Sequence, residues 1–306
     1  ASMSSETLPG GHVIGIGETR RSDNWWVAPA LTVLYIGVAL VYGTWAAFQG
    51  DHYQAGPYLS PLYSPTLLVN EAAVGGATQG FGHVWIGAFP EWWTSASWAK
   101  FFPASPALLI LPLPGLLRLT CYYYRKAYYR SFGFSPPGCA VEGARRGKYR
   151  GETGLFIFQN IHRYALYIAL VYNCILFFDA AMSFYISDEA AKVLGLSQGG
   201  FGIGVGSIVL TVNASLLAAY SFGCHSFRHL FGGRLDCFTC DSPSKVQHGA
   251  WKFGTWFNER HMQIAWLSLG FVMFTDIYIR AVSNGLIPDL NTWGADLSAA
   301  VRFAGL

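Results

Sequence analysis

The chain has 306 residues, of which 52% are hydrophobic and 12% are charged, and its net charge is +3 at pH 7. Soluble domains carry about 25% charged residues, so the composition excludes an ordinary soluble domain. The small net charge also argues against nucleic-acid binding, which needs a concentrated basic surface. Aromatic residues make up 16% of the chain and include 11 Trp, which favours a protein with two membrane–water interfaces to line.

Five apolar stretches are long enough to form transmembrane helices, which need about 20 apolar residues. The second stretch contains Pro112 and Pro114, so we expect a kinked helix there. The predicted fold class is therefore an all-α integral membrane protein, a bundle of five transmembrane helices. The predicted spans are 25–48, 106–124, 155–186, 201–227 and 261–282.

Lys and Arg in the connecting loops predict the orientation, because they accumulate on the cytoplasmic side. They are concentrated in the segment before the first span and in the loops after the second and fourth spans, whereas the opposite side has only Lys100, Lys192 and Arg302. The N-terminus is therefore predicted to be cytoplasmic and the C-terminus extracytoplasmic. The predicted regions are a cytoplasmic segment at 1–24, a membrane domain at 25–287 with a long outer loop at 49–103 that caps the surface, and an outer tail at 288–306.

Ionisable residues at the membrane are candidates for function because burying them is costly. The predicted topology brings four histidines to helix ends at the cytoplasmic face, and every cysteine except Cys174 lies at or beyond that face. Because the cytoplasm is reducing, metal binding is a better interpretation of these cysteines than disulfide bonding. The residues at these helix ends are Cys121, His162, His225, His229 and His261.

The sharpest local pattern is His225-x3-His229-x7-Cys237-x2-Cys240. Histidines four apart share one helix face, and a C-x2-C turn can hold one metal atom through two thiolates. These four residues are the predicted metal ligands. They suit either a zinc ion or a Rieske-type [2Fe–2S] cluster, and the spacing leaves both open. The usual Rieske order interleaves Cys and His, and this order does not. Further candidate ligands, if the C-x2-C pair is not used, are Cys121, Cys139 and Cys224.

A transmembrane haem b is the alternative, held at the inner leaflet by His162, His225 and His261. A two-haem cytochrome b is disfavoured because no predicted span carries a histidine near the outer leaflet. Ionisable residues in the outer half are expected to form a structural ion pair, with a proton route or an outer quinone site as the alternative. These residues are Asp179, Asp276 and Arg280.

Six short segments carry a family resemblance. They are TCYYYRKAYYR at 120–130, PPGCA at 136–140, YRGET at 149–153, QNIHRY at 159–164, GCHSFRH at 223–229 and NERHMQ at 258–263. In word order they resemble the membrane-anchor subunit of actinobacterial-type succinate dehydrogenases, the cytochrome b-like subunit of succinate:menaquinone oxidoreductases. The resemblance covers about 105–285.

The resemblance implies a multi-pass anchor in the bacterial plasma membrane, without a catalytic residue of its own. Flavoprotein and iron–sulfur partner subunits would dock on its cytoplasmic face. Electrons from succinate would pass from the iron–sulfur subunit to menaquinone, through a Rieske-type [2Fe–2S] centre near the cytoplasmic leaflet or, alternatively, through haem b. The residues expected to offer hydrogen bonds to the quinone oxygens are His162, Arg163, Arg260, His261 and Gln263.

Overall fold

A computed structural model of the chain describes residues 15–70, 84–144, 156–233 and 235–298. Segment 149–153 of the resemblance and six of the basic residues that predict the orientation lie outside these ranges. The orientation in the membrane therefore stays a prediction. The six basic residues outside the described ranges are Arg145, Arg146, Lys148, Arg150, Arg234 and Arg302.

Most of the described chain is helical. The helices are α1 (Val27–Gln49), α2 (Glu91–Thr94), α3 (Pro106–Ile110), α4 (Pro112–Thr120), α5 (Tyr122–Ala127), α6 (Phe156–Met182), α7 (Asp188–Val193), α8 (Val205–Phe222), α9 (His225–Gly232), α10 (Ser242–Glu259) and α11 (His261–Ser283). A 3₁₀ turn spans Ser97–Lys100 and a π-helical turn spans Tyr128–Phe132. The strands pair as β1 (Gln54–Ala55) with β2 (Tyr58–Leu59), β3 (Thr66–Val69) with β4 (Val84–Ala88), and β5 (Tyr185–Ile186) with β6 (Gly200–Phe201).

Within the described ranges, four helices are long and apolar enough to cross a membrane. They are α1, residues 160–182 of α6, α8 and α11. These four agree with the first, third, fourth and fifth predicted spans.

The predicted second span is a broken helix. The helix that starts at Pro106 is interrupted at Leu111 and ends at Thr120. The interruption lies next to Pro112 and Pro114, where a kink is predicted. Proline has no N–H to donate within a helix, which accounts for the interruption. At Cys121 the backbone becomes extended (φ −64°, ψ 138°) before α5 begins. No piece of this broken helix therefore reaches the roughly 20 residues of a spanning helix.

The helices pack as a bundle with α6 at its centre. α6 lies between α4 and α8, and α8 also packs against α11. Small buried residues at these contacts, such as Ala165, Ala214 and Ala265, let the helix backbones approach closely, as is usual in membranes. α1 differs, because only three of its 23 residues are buried, so most of its apolar surface faces outward towards lipid.

The segment after α1 closes one end of the bundle. The predicted outer loop begins here, but its first part is core rather than surface: Tyr53, Tyr58 and Tyr63 are almost completely buried. The rings of Tyr53 and Tyr63 are stacked, with centroids 4.2 Å apart. We call residues 50–66 the cap segment. It lies where α1, α6 and α11 end and where α8 begins.

Buried charges attach the cap segment to the helices. Asp276 and Arg280 of α11 form the expected ion pair, with Nε and Oδ2 2.7 Å apart and both residues buried. The Ser60 hydroxyl of the cap segment donates to Asp276, and the Ser64 hydroxyl donates to Asp179 of α6. Buried charges are tolerated when they are paired and hydrogen-bonded, and here that pairing holds the cap against two helices.

We expect Asp276→Ala to lower the thermal midpoint of the purified protein strongly. Removing one partner of a buried ion pair costs about 3–5 kcal/mol, because the remaining charge stays buried without compensation. The matched control is Glu259→Ala, which breaks the exposed pair with Arg260 and should change the midpoint little. Equal midpoints for both variants would show that the buried pair does not hold the cap. A thermal-shift assay in detergent gives the comparison.

Candidate metal centre

Four donor side chains lie as two His–Cys pairs at the end of the bundle opposite the cap segment. Cys121 follows α4, His162 lies near the start of α6, Cys224 follows α8, and His261 begins α11. All four are at most 6% exposed. His162 Nε2 lies 3.0 Å from Cys224 Sγ, and His261 Nε2 lies 3.9 Å from Cys121 Sγ. We call these four residues the donor set; they come from four separate parts of the chain.

Each cysteine of the donor set lies at a break between two helices. The backbone of Cys121 (φ −64°, ψ 138°) and that of Cys224 (φ −64°, ψ 136°) are almost identical, and each residue stands between the end of one helix and the start of another. As a helix N-cap, Cys224 accepts a hydrogen bond at Sγ from the Ser226 N–H (3.4 Å). A backbone N–H that points at a sulfur also stabilises negative charge on it.

Hydrogen bonds define the protonation of His162. The Thr120 hydroxyl donates to the Leu116 carbonyl (2.7 Å), so its oxygen is left to accept from His162 Nδ1–H, also at 2.7 Å. In a neutral imidazole, a proton on Nδ1 leaves Nε2 with a free lone pair. The nitrogen that faces Cys224 is therefore the one that can bind a metal. Orientation by a hydrogen bond at the other ring nitrogen is typical of metal-binding histidines.

His261 is fixed by packing. Its ring is stacked on Tyr220, with centroids 5.0 Å apart and planes 8° from parallel. Its Nδ1 is buried and makes no hydrogen bond with the residues that the structure describes. A Cβ atom at Gly223 would lie 2.7 Å from that nitrogen, which is too close for any side chain. Only glycine before Cys224 leaves room for the His261 ring.

A partly buried cation, Arg118, lies beside the donor set. The Arg118 guanidinium donates to the Tyr124 hydroxyl (2.6 Å), to the Ala265 carbonyl (3.2 Å) and to the Ser268 hydroxyl (3.1 Å). It also lies over the ring of Tyr220, 4.8 Å from the centroid. No carboxylate pairs with it among the described residues. A positive charge at this place favours any group nearby that becomes more negative.

The cysteine and histidine after α8 differ in their surroundings. Burial raises the pKa of the Cys224 thiol to about 11, so the thiol keeps its proton at neutral pH unless a metal displaces it. The next residue, His225, is exposed, yet its ring is stacked on that of His162 with centroids 5.6 Å apart. Partial burial and the neighbouring His229 lower the pKa of the His225 imidazole. Ligand atoms of His162, Cys224 and His225 all lie within 4.8 Å of one another.

The four ligands predicted from the local pattern are found as two separate pairs. His225 and His229 are neighbours on α9, with ring centroids 6.3 Å apart. Cys237 and Cys240 are joined to each other in a disulfide. Within the described ranges, no contact links the two pairs. The two cysteines that do face histidines, Cys121 and Cys224, were only further candidates in the sequence. The sequence feature that indicates them is their position: each cysteine follows an apolar helix at the face where the helices of His162 and His261 begin.

The five residues predicted to bind quinone also fall into two groups, one buried and one exposed. His162 and His261 are buried in the donor set, where their Nε2 atoms face sulfur. Arg163, Arg260 and Gln263 are exposed. The Arg260 guanidinium lies over Trp256, 4.4 Å from the ring centroid, and pairs with Glu259. The structure therefore does not gather these five residues around one cavity.

A cavity of about 180 Å³ lies between the donor set and the cap segment. Arg118 and Tyr220 line its inner end, Leu62 lines its outer end, and Asn173 lies along its wall. The Nδ2 of Asn173 and the hydroxyl of Tyr220 are buried and make no hydrogen bond with other described residues. An apolar cavity with a few unused polar groups is the usual form of a small-molecule site.

Comparison with known proteins identifies the family of this chain. The family model described as actinobacterial succinate dehydrogenase subunit SdhC matches residues 27–285. The chain belongs to this family. Among solved structures, it is similar to a chain of the "Mycobacterium smegmatis Sdh1 complex in the apo form", with 38% identity, a TM-score of 0.72, and coverage of 92% of this chain and 96% of that chain. Comparison with curated proteins finds no match.

Family membership confirms the resemblance found in the sequence. The chain is the membrane subunit of a succinate dehydrogenase, an oxidoreductase complex with flavoprotein and iron–sulfur partner subunits. It is a multi-pass protein of the bacterial plasma membrane. The donor set and the cavity are therefore features of the subunit through which this complex is held in the membrane.

Cysteine labelling should follow the burial of each thiol. In protein without metal, we expect a water-soluble maleimide at pH 7.5 to modify Cys139, which is exposed, and to leave Cys121 and Cys224 unmodified. The raised pKa of Cys224 adds to its burial, because the thiolate is the reactive form. Peptide mass spectrometry measures the modification of each site. Labelling of Cys224 as fast as Cys139 would contradict the buried arrangement.

Proposed function

We propose that this subunit carries electrons from the iron–sulfur partner subunit to a quinone in the membrane. The donor set would hold a Rieske-type [2Fe–2S] cluster through the two thiolates of Cys121 and Cys224 and the two imidazoles of His162 and His261. The observation that carries the proposal is the pair of buried His–Cys contacts, at 3.0 and 3.9 Å, between segments far apart in the sequence. This ligand set takes the place of the local His225, His229, Cys237 and Cys240 pattern.

The donor set fits the chemistry of such a cluster. Two thiolates and two neutral imidazoles are the ligands that a Rieske-type centre needs, and the histidine pair raises its reduction potential. When bound, the cluster supplies one-electron transfer. His162 presents its Nε2 lone pair towards Cys224, because its Nδ1–H donates a hydrogen bond to the Thr120 hydroxyl oxygen. The Ser226 N–H points at the Cys224 sulfur, and hydrogen bonds to ligand sulfurs are one of the means by which a protein sets such potentials.

The two alternative cofactors fit less well. Haem b needs a wide flat slot between two histidines, whereas each proposed histidine here lies directly against a cysteine sulfur. Zinc accepts the same Cys₂His₂ ligands, but it has no redox chemistry and cannot pass electrons onward in an oxidoreductase. The family's activity therefore favours an iron–sulfur centre at a site that either metal could occupy.

Arg118 supports electron acceptance at this place. Arg118 lies on α4, shortly before Cys121 in the sequence. Its guanidinium lies over the ring of Tyr220, which is stacked on the ring of His261. A fixed positive charge in a site that excludes water stabilises negative charge far more than it would in water. Arg118 thus favours the reduced states both of a centre at the donor set and of a quinone in the adjoining cavity.

The cavity is the quinone site that the geometry favours. Its volume of about 180 Å³ suits a ring headgroup, since whole drug-sized ligands need about 300–1,000 Å³. The Asn173 amide and the Tyr220 hydroxyl are free to donate to quinone oxygens. Gly115 and Pro114 of the broken helix lie at its rim, where an isoprenoid tail can leave towards lipid. Menaquinone is the quinone that the sequence resemblance implies.

The partner subunits are proposed to lie on the cytoplasmic side, at the end of the bundle that holds the donor set. The Lys and Arg distribution predicts that this end faces the cytoplasm. The same end carries α9, α10 and the N-terminal segment, in which the Gly17 N–H donates to the Glu142 carbonyl (2.9 Å) and Arg21 Nη1 donates to the Cys139 carbonyl (2.9 Å). A donor set near that leaflet is within reach of a cluster in a docked subunit.

Ligand identity can be tested by electron paramagnetic resonance of the dithionite-reduced complex. We expect the low-average-g signal of a histidine-ligated [2Fe–2S] cluster, without a haem band in the optical spectrum. Four single variants should each abolish that signal, because each removes one ligand: Cys121→Ser, Cys224→Ser, His162→Ala and His261→Ala. Iron content, normalised to the partner subunits, should fall in parallel.

The controls are His229→Ala and Cys237→Ser, which alter the local pattern and leave the donor set intact. Both should keep the signal. If the controls lose it and the first four variants keep it, the ligands are those of the local pattern and the donor set is structural. A haem band without the signal would assign the histidines to haem.

Quinone binding can be tested with Asn173→Leu and Tyr220→Phe. Each removes a hydrogen bond worth about 0.5–1.5 kcal/mol, so the KM for quinone should rise by up to about tenfold. Electron transfer from succinate to a soluble dye, which does not use the cavity, should be unchanged. The control is Ser215→Ala, since Ser215 is exposed on α8 and donates only to the Thr211 carbonyl of its own helix. An unchanged KM in both cavity variants would move the quinone elsewhere.

A further inference from the structure

His225 connects the buried donor set with the surface of the protein. It directly follows Cys224, and its ring is stacked on that of His162 with centroids 5.6 Å apart and planes 20° from parallel. Whereas His162 is 3% exposed, His225 is exposed. The ring therefore has one face against a proposed ligand and an edge open to a docking protein.

The surroundings of His225 form a defined surface patch. His229 lies one turn further along α9, with its ring centroid 6.3 Å from that of His225, and it is exposed as well. The charged side chains with the largest influence on His225 are all cationic: Arg125, Arg163 and Arg228. Arg228 is held in place over Trp251, 4.8 Å from the ring centroid, and by a hydrogen bond to Asn258 (3.0 Å).

We propose that the iron–sulfur partner subunit docks over His225 and His229, and that electrons enter this subunit through the His225 ring. This inference rests on the proposed function. The complementary partner surface would be acidic around its electron-donating cluster, because opposite potentials guide and orient docking. In the step itself, one reduced partner cluster loses an electron and the centre at the donor set gains it. No bond forms or breaks, and the next electron follows in the same way.

The nearest rival is that His225 is itself a ligand, because its nitrogen lies within 4.8 Å of the His162 and Cys224 ligand atoms. A Rieske-type centre takes two histidines, and His162 and His261 are the two that face sulfur from inside the bundle. His225 differs from both, because it is exposed and its ring is stacked on that of His162. The two roles differ in one measurable way, since loss of a ligand removes the spectroscopic signal whereas loss of an entry residue slows reduction.

The test compares His225→Ala with His225→Phe in the intact complex, with His248→Ala as the control. His248 is on α10, where its ring is stacked on Phe238, centroids 4.6 Å apart. Succinate is mixed rapidly with the oxidised complex, and freeze-quenched samples report reduction of the partner clusters and of the low-average-g signal separately. We expect the alanine variant to keep the signal but to slow its appearance about tenfold, equal to about 1.4 kcal/mol of activation free energy.

The phenylalanine variant keeps a stacked ring and should be reduced at nearly the normal rate, as should the His248 control. Normal kinetics in His225→Ala would overturn the entry role. Absence of the signal from His225→Ala, when the wild-type complex shows it, would instead make His225 a ligand. Absence of the signal from the wild-type complex would count against the proposed function, so the two failures are distinguishable.

Docking is tested without reference to the cofactor. A photo-crosslinking amino acid at position 229 should form a covalent product with the iron–sulfur subunit on illumination of the intact complex. The control position is Trp98, which is exposed in the predicted outer loop and should give no such product. Crosslinking of position 229 only to another subunit, or to none, would overturn the docking surface.

Discussion

A membrane helix and a metal-binding thiol make opposing demands on the same residue. The helix satisfies its backbone polar groups internally, since lipid offers no hydrogen bonds, and its side chains point outward in a fixed spiral. A ligand must instead point at one place in the interior. In this protein the two cysteines that meet histidines are both extended residues at a helix break, with nearly identical backbone angles. The breaks lie at one end of the bundle, where chain turns are tolerated.

Residues next to these two helix breaks make room for the histidines or orient them. Gly223 makes room for the His261 ring next to Cys224, and Thr120 orients His162 from the turn just before Cys121. At the far end, the Asp276–Arg280 pair also accepts a hydrogen bond from the Tyr42 hydroxyl (2.5 Å). The bundle is thus fixed by hydrogen-bonded charges at the cap and carries its irregular backbone, with the donor set, at the opposite end.

The amount that could be predicted from the sequence depended on how local each signal is. Long apolar stretches such as that of α1 predict spans directly, because the hydrophobic requirement of a helix is a property of consecutive residues. The prolines at 112 and 114 likewise indicated the break in the second predicted span. The ligand set could not be chosen in this way, since Cys121 and His261 meet only through helix packing. The C-x2-C pair has a local pattern and therefore dominated the sequence argument, although the structure pairs those cysteines with each other.

The burial of the donor set has a consequence for biogenesis. Cys121 and Cys224 are each only 1% exposed, and apolar helices pack around them. If the proposed cluster occupies this place, it would have to be inserted before that end of the bundle closes, or during a transient opening of it. Delivery of that cofactor would then be tied to the last stages of membrane folding, and a chain that closed early would be trapped as a stable but empty subunit.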